Sequence, residues 1–195
     1  MKGIENEMRA YLVGLSVIAA MTACASPCSA EGFRAEVHGG FDRVNSDDEG
    51  DSGAAYGIGL GYDLAVGNGG FVGVDLSFDD SSQKECEVGS IVANDELCVR
   101  AGRDLSAGVR GGIMLGERGK LYALAAYSNA RFKASYTTPT SATTREGANL
   151  DGFRLGAGYQ HKIAGGAYGK VEYRYSNYEA DVDRHQVLLG VGFEF

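Results

Sequence analysis

Side chains suited to nucleophilic chemistry gather near the end of the chain. Ser176 is followed by Asp181, Asp183 and His185, which supply a nucleophile, a base and two candidate orienting acids. Acyl transfer or hydrolysis requires the base within hydrogen-bond reach of the nucleophile and an acid to orient the base. No motif surrounds the set, and Ser, His and Asp near a polar loop are common by chance. Asp47, Asp48, Glu49 and Asp51 offer carboxylate oxygens to a divalent cation, but without the ordered spacing of a calcium-binding loop. His38, His161 and His185 and the four cysteines are spaced too widely for a zinc motif, so neither a metal nor a cofactor is expected. His38 and His161 read as lining or interfacial side chains. The run Gly57-Ile58-Gly59-Leu60-Gly61 lacks the helix and the later acidic residue of a dinucleotide fingerprint.

The elements that must carry these groups follow from composition and periodicity. Thirty glycines and two prolines in 195 residues, with 44% hydrophobic residues, describe a folded, glycine-rich domain rather than a disordered chain. A formal charge of −8 leaves no basic stripe to neutralise phosphates, so nucleic acid is set aside as a partner. Residues Tyr11 to Ala25 are apolar, preceded by Lys2 and Arg9 and followed by Cys28-Ser29-Ala30, the pattern of a secretory signal peptide over residues 1–30. Met8 offers an alternative start to Met1. Met21-Thr22-Ala23-Cys24 resembles a lipoprotein processing site, which would place a lipid on Cys24, but cleavage after Ala30 is favoured. The exported chain, 31–195, then keeps Cys86 and Cys98, a pair that reads as one disulfide in an oxidising compartment.

From Phe33 onward the apolar residues alternate with polar ones, the period of a β-strand. Phe33, Ala35, Val37 and Phe41 oppose Arg34, Glu36, His38 and Asp42. Seven further segments repeat the pattern, near residues 56–64, 72–79, 98–115, 121–133, 153–160, 170–175 and 187–195. In the 121–133 segment the even positions, Tyr122, Leu124, Ala126, Ala130 and Phe132, are the more apolar set, while Tyr127 lies on the other face. Short glycine-rich connections near 67–70, 116–119 and 164–166 alternate with longer polar ones near 43–54, 80–97, 134–150 and 178–185. Eight such strands predict an all-β, antiparallel up-and-down barrel, and the alternation of connections is that of a transmembrane barrel with short turns in the periplasm and long loops outside. Aromatic residues gather toward strand ends (Phe33, Phe41, Tyr56, Tyr62, Phe78, Tyr122, Phe132, Phe153, Tyr159, Tyr173, Tyr175), as membrane-interface girdles do.

The last hairpin, Val171-Glu172-Tyr173-Arg174-Tyr175-Ser176-Asn177-Tyr178 followed by Val187-Leu188-Leu189-Gly190-Val191-Gly192-Phe193-Glu194-Phe195, resembles that of the opacity-type surface antigens, small porin-like outer-membrane β-barrel proteins of Gram-negative bacteria. The segment from Asp104 to Phe132 is similar in detail as well. The resemblance implies the outer membrane as location and a structural, surface-antigen or adhesin-like role without chemistry of its own. A narrow passive pore is the alternative among binding proteins. From another class comes a lipid A-modifying enzyme, since some barrels of this size are deacylases or acyltransferases; Ser176 and His185 would serve there. Val191, Phe193 and the terminal Phe195 look like the C-terminal signature read by the barrel-insertion machinery. The expected partners are outer-membrane lipid and lipopolysaccharide, whose phosphates Arg103 would meet, and host or cell-surface ligands at the loops. The inward band is assigned Arg34, Arg100, Arg110, Arg154, Lys170 and Arg174 against Glu36, Asp63, Asp75, Asp104, Glu172 and Glu194, an ion-paired plug.

Overall fold

The computed structural model describes residues 31–46, 49–82, 84–88, 96–138, 140, 143–179 and 182–195. Residues 1–30, to which the leader and its two processing sites were assigned, lie outside these. Nine strands are present among the described residues: β1 (Gly32–Ser46), β2 (Glu49–Val66), β3 (Gly70–Ser81), β4 (Lys84–Val88), β5 (Glu96–Leu115), β6 (Gly119–Thr137), β7 (Thr143–Ala164), β8 (Ala167–Tyr178) and β9 (Val182–Glu194). All pairings are antiparallel. Except for β3 and β4, neighbours along the chain pair in sequence; β1 pairs with β9 and β3 with β5, which closes eight strands into a ring. The short β4 stands outside that ring, paired to the outer end of β5.

The alternation fixes which face is which. On β9 the outward Val187, Leu189 and Val191 are 49%, 67% and 59% exposed, whereas Arg184 and Gln186 on the other face are buried. The eight strands of the ring repeat this inversion, with most Val, Leu and Ile outside and charged groups inside. Such a surface needs an apolar solvent. The short turns demand their glycines: Gly116 and Gly165 adopt φ of +66° and +57°, the left-handed region that other residues enter at a cost. Close approach within the wall demands another, because a Cβ on Gly40 would lie 2.0 Å from the Val187 carbonyl oxygen.

Three features depart from the sequence reading. Stretches expected as loops are largely strand: β1 runs to Ser46, β2 starts at Glu49, β7 at Thr143 and β9 at Val182. The hairpins simply continue as paired strands past the apolar band. On β6 the more apolar set turns inward, and Tyr122 and Leu124 are buried while Leu121, Ala123, Ala125 and Tyr127 face out. Tyr122 therefore leaves the girdle, because its ring lies under the Arg110 guanidinium, 4.8 Å away, and its hydroxyl donates to Glu172. Finally, the pairing of β5 with β6 shifts between Ala101 and Asp104. That bulge resets the alternation, so Arg100 is exposed rather than inside the barrel.

Candidate functional site

The barrel interior is filled by ionic side chains in three tiers. Nearest the short turns, Arg34 pairs with Asp75, Arg110 donates through Nε to Asp63 at 2.9 Å, and Lys120 reaches Asp63 at 3.2 Å and Glu194 at 2.5 Å. Gln160 donates to Glu194 at 2.9 Å. Phe71 and Tyr122 lie against the Arg110 guanidinium at 5.4 and 4.8 Å. In the middle tier Lys170 pairs with Glu36 and, at 3.3 Å, with Glu172. The hydroxyls of Tyr168 and Tyr122 donate to Glu36 and Glu172. Arg174 connects Glu172 to Asp79, and His38 sits between Asp79 (2.5 Å) and Glu36 (3.6 Å). At the outer tier Arg154 pairs with Asp79 and Asp104, and Arg184 pairs with Asp42 and Asp104.

Eleven of the twelve charged residues assigned to the interior lie within these tiers, with Arg100 the one outside. The tiers also hold five that the assignment lacked: His38, Asp42, Asp79, Lys120 and Arg184. His38, Asp42 and Asp79 already stood on the polar side of their alternating segments, so strand phase alone identifies them. Lys120 begins its strand immediately after a turn, and Arg184 falls within a stretch read as loop. Chemically the arrangement is a continuous network of buried ion pairs. Each of the seven lysine and arginine side chains has at least one carboxylate within 4 Å, and removing one partner of such a buried pair costs about 3–5 kcal/mol because the other charge stays behind.

The candidate catalytic set does not assemble. Ser176 is fully buried and accepts a hydrogen bond from Arg154 Nε at 2.9 Å. His185 is on the opposite, outward face, where its Nδ1 meets the Tyr173 hydroxyl at 2.7 Å. Odd and even positions of an antiparallel pair face opposite sides of the wall, so this serine and this histidine cannot share a proton. Asp183 also faces outward and accepts from Tyr175 and Asn177, both at 2.7 Å; Asp181, like Asp47 and Asp48, lies outside the described residues. Among the described residues no group of three metal-ligating side chains gathers.

At the outer end of the barrel Cys86 and Cys98 are register partners joined in a disulfide, which ties β4 to β5. Arg103 is exposed, one outward position beyond Leu105. Above the apolar band, hydrogen bonds from Tyr127 and Asn129 hold the Asp151 carboxyl below the ordinary carboxylate range, and those from Asn177 and Tyr175 do so for Asp183. At the inner end Phe193 packs its ring 5.3 Å from that of Phe195, whose backbone N–H donates to Phe33.

Comparison with known proteins places this geometry. The sequence profile of a family described as outer membrane protein beta-barrel domain matches residues 15–195. Among solved structures, Ail, the attachment invasion locus protein of Yersinia pestis, in complex with the heparin analogue sucrose octasulfate, superimposes with a TM-score of 0.60 at 18% identity, covering 86% of this chain and 100% of that one. Neisserial surface protein A aligns with a TM-score of 0.57 at 16% identity over 84% of this chain and 97% of its own. These likenesses are likenesses of fold. No protein with curated function matches the chain in sequence.

Proposed function

The chain belongs to the outer membrane protein beta-barrel domain family, and from that premise we propose that this small outer-membrane barrel is a surface-interaction protein whose outer hairpins engage other surfaces while the barrel serves as anchor. The observation that carries this reading is the length of the outer strands. An outer-membrane apolar band is about 25 Å tall. On β7 the outward face is apolar or aromatic from Ile163 to Phe153, and Thr143–Leu150 continue beyond Asp151 while paired to β6. Eight residues at ~3.3 Å each, tilted ~40°, carry the wall about 20 Å further out. A disulfide reinforces the neighbouring hairpin. The ion-paired interior argues against a narrow pore, and the separation of Ser176 from His185 argues against the lipid-modifying alternative.

Charge indicates the kind of partner. The four outer stretches, residues 43–51, 80–103, 131–151 and 179–183, contain fourteen acidic side chains against seven lysines and arginines. The Yersinia pestis protein was crystallised with a heparin analogue; an acidic outer end disfavours such a polyanion and favours a cationic surface. In this reading residues 1–30 are a leader removed after Ala30, outer-membrane lipid and lipopolysaccharide surround the wall, and Val191, Phe193 and Phe195 on the last strand are presented to the insertion machinery.

The test uses cells displaying the full protein. They should bind polylysine-coated beads in a salt-sensitive manner and should not bind heparin-coated beads. Replacing Asp47, Asp48, Glu49, Asp51, Glu85, Glu87, Asp95 and Glu96 by their amides should reduce binding at least severalfold while the unboiled gel shift is retained. Equal binding by the neutralised variant would refute a working role for the acidic hairpins.

A further inference from the structure

The tripeptide Tyr-Ser-Asn occurs twice, at residues 127–129 on β6 and 175–177 on β8, and both copies do the same thing. Each central serine points into the lumen, where Ser128 donates to Asp104 and Ser176 accepts from Arg154. The flanking tyrosine and asparagine point outward, and both engage one aspartate on the next strand. Asn129 donates to Asp151 on β7, whose carboxyl also interacts with Tyr127. Tyr175 and Asn177 hold Asp183 on β9. In each case the aspartate is the register partner of the asparagine.

Both sites stand where the apolar band ends. On β6 the outward residues run Leu121, Ala123, Ala125 and then Tyr127 and Asn129; on β8 they run Val171, Tyr173 and then Tyr175 and Asn177. A tyrosine hydroxyl bound to water or headgroups would suffice to anchor a barrel at that depth. Here the hydroxyls instead converge with an amide on a carboxylate, and on Asp183 both donors meet Oδ1, which leaves Oδ2 to accept from elsewhere. Aromatic rings flank that carboxylate: Tyr175 lies 6.3 Å from Phe153 and 5.1 Å from His185, and His185 accepts or donates at the Tyr173 hydroxyl. Arg43, exposed on β1, is the register partner of His185.

Exposed rings beside oriented carboxylates match the two sides of a sugar. Its C–H faces pack on aromatic rings, and its hydroxyl and acylamide groups donate to carboxylate oxygens. The two aspartates are two strands apart and two residues out of register, about 12 Å at the spacings of a sheet, a span suited to two linked sugar rings. We propose that the paired Tyr-Asn-Asp sites bind the sugar headgroup of the lipopolysaccharide in the outer leaflet, with Arg43 facing a headgroup phosphate. The sites' height commits the ligand to the membrane's own glycolipid, since a soluble glycan would meet the hairpins above first. The inference deepens the reading that lipopolysaccharide surrounds this barrel, and it stands independently of what the hairpins bind.

The experiment reconstitutes the refolded barrel, residues 31–195, in phosphatidylcholine nanodiscs with and without purified lipopolysaccharide, and counts retained lipid by native mass spectrometry after detergent release. The wild-type barrel should retain lipopolysaccharide, and Asp151→Ala/Asp183→Ala should retain at least fivefold less, with phospholipid retention unchanged. Polysaccharide freed of its acyl chains should compete only at high concentration. Asp151→Asn/Asp183→Asn, which keeps the size and hydrogen-bonding shape of each side chain, should show the same loss if the alanine variant fails to refold. Equal retention by wild type and the asparagine variant overturns the proposal, as does a wild-type barrel that retains none. Failure of the bead-binding test with lipopolysaccharide retention intact would fall on the hairpins alone.

Discussion

Replacing Arg154 by alanine measures whether the lumen is a low-dielectric ionic plug or a wet channel lined with charge. Arg154 is fully buried and uses every nitrogen. Nε donates to Ser176 at 2.9 Å, Nη1 donates to Asp79 and Ser106 at 3.1 Å, and Nη2 serves Asp104 and, at 3.3 Å, Tyr178. One residue of β7 is thereby tied to β3, β5 and β8. Removing one member of a buried ion pair costs about 3–5 kcal/mol. The lower part of that range applies, because the orphaned acids keep other partners: Asp104 retains Arg184 at 2.9 Å and the Ser128 and Tyr178 hydroxyls, and Asp79 retains Arg174 at 3.2 Å. The expected loss is about 3 kcal/mol. With a urea slope of about 1–3 kcal/mol per molar, the unfolding midpoint should fall by about 1–3 M. The assay is reversible urea unfolding in lipid vesicles, read by the unboiled gel shift. In a solvated lumen the same pair would be screened and worth about 0–1 kcal/mol. A midpoint that moves by less than about 0.3 M would therefore refute the plug.

Four further variants test other parts of the account. Gly40→Ala should cost about 1–3 kcal/mol, since its Cβ would press on the backbone of Val187 and Leu188. Gly39→Ala, whose nearest neighbour would be 3.4 Å away, should leave the same urea midpoint almost unmoved. Leu189→Arg, at the middle of the outward face of β9, should lower folding into bilayers by about 2–4 kcal/mol, the penalty for a charge facing lipid at the midplane; a neutral result would contradict the inverted surface. Cys86→Ser/Cys98→Ser should fold with an unchanged gel shift but become sensitive to protease between the two positions on intact cells.

Period-two alternation carried most of the fold, because a wall one residue thick between lipid and lumen forces each side chain to one side or the other. The same logic explains the errors. Phase is kept only while the pairing is unbroken, and the bulge between Ala101 and Asp104 moved Arg100 out of the lumen. On β6 small residues weaken the hydrophobic contrast, so Tyr122 and Leu124 resemble lipid-facing residues although the first is polar enough at its tip to join the charge network. Composition marks 43–54 and 178–185 as loops, yet β1, β2 and β9 extend into them as paired strand, with Arg184 reaching Asp42 on the inner face of the adjacent strand at 2.6 Å. The rim sites escaped notice for another reason. Tyr-Ser-Asn has no meaning as a string until the register brings an aspartate beside each asparagine.

The charge count within the lumen bears on why the plug holds. Among the described residues eight carboxylates face inward: Glu36, Asp42, Asp63, Asp75, Asp79, Asp104, Glu172 and Glu194. Seven arginines and lysines answer them: Arg34, Arg110, Lys120, Arg154, Lys170, Arg174 and Arg184. One carboxylate is in excess, and His38 is the side chain able to carry the eighth positive charge, placed between Asp79 and Glu36 where the outer and middle tiers meet. A conducting pore gains from an excess of one sign, which attracts the counterion and keeps it mobile. A matched set held by shared partners does the reverse, since an ion moving through must displace guanidinium groups that each satisfy two or more acceptors. On the proposed reading the interior contributes rigidity, and interaction is left to the surfaces that face outward.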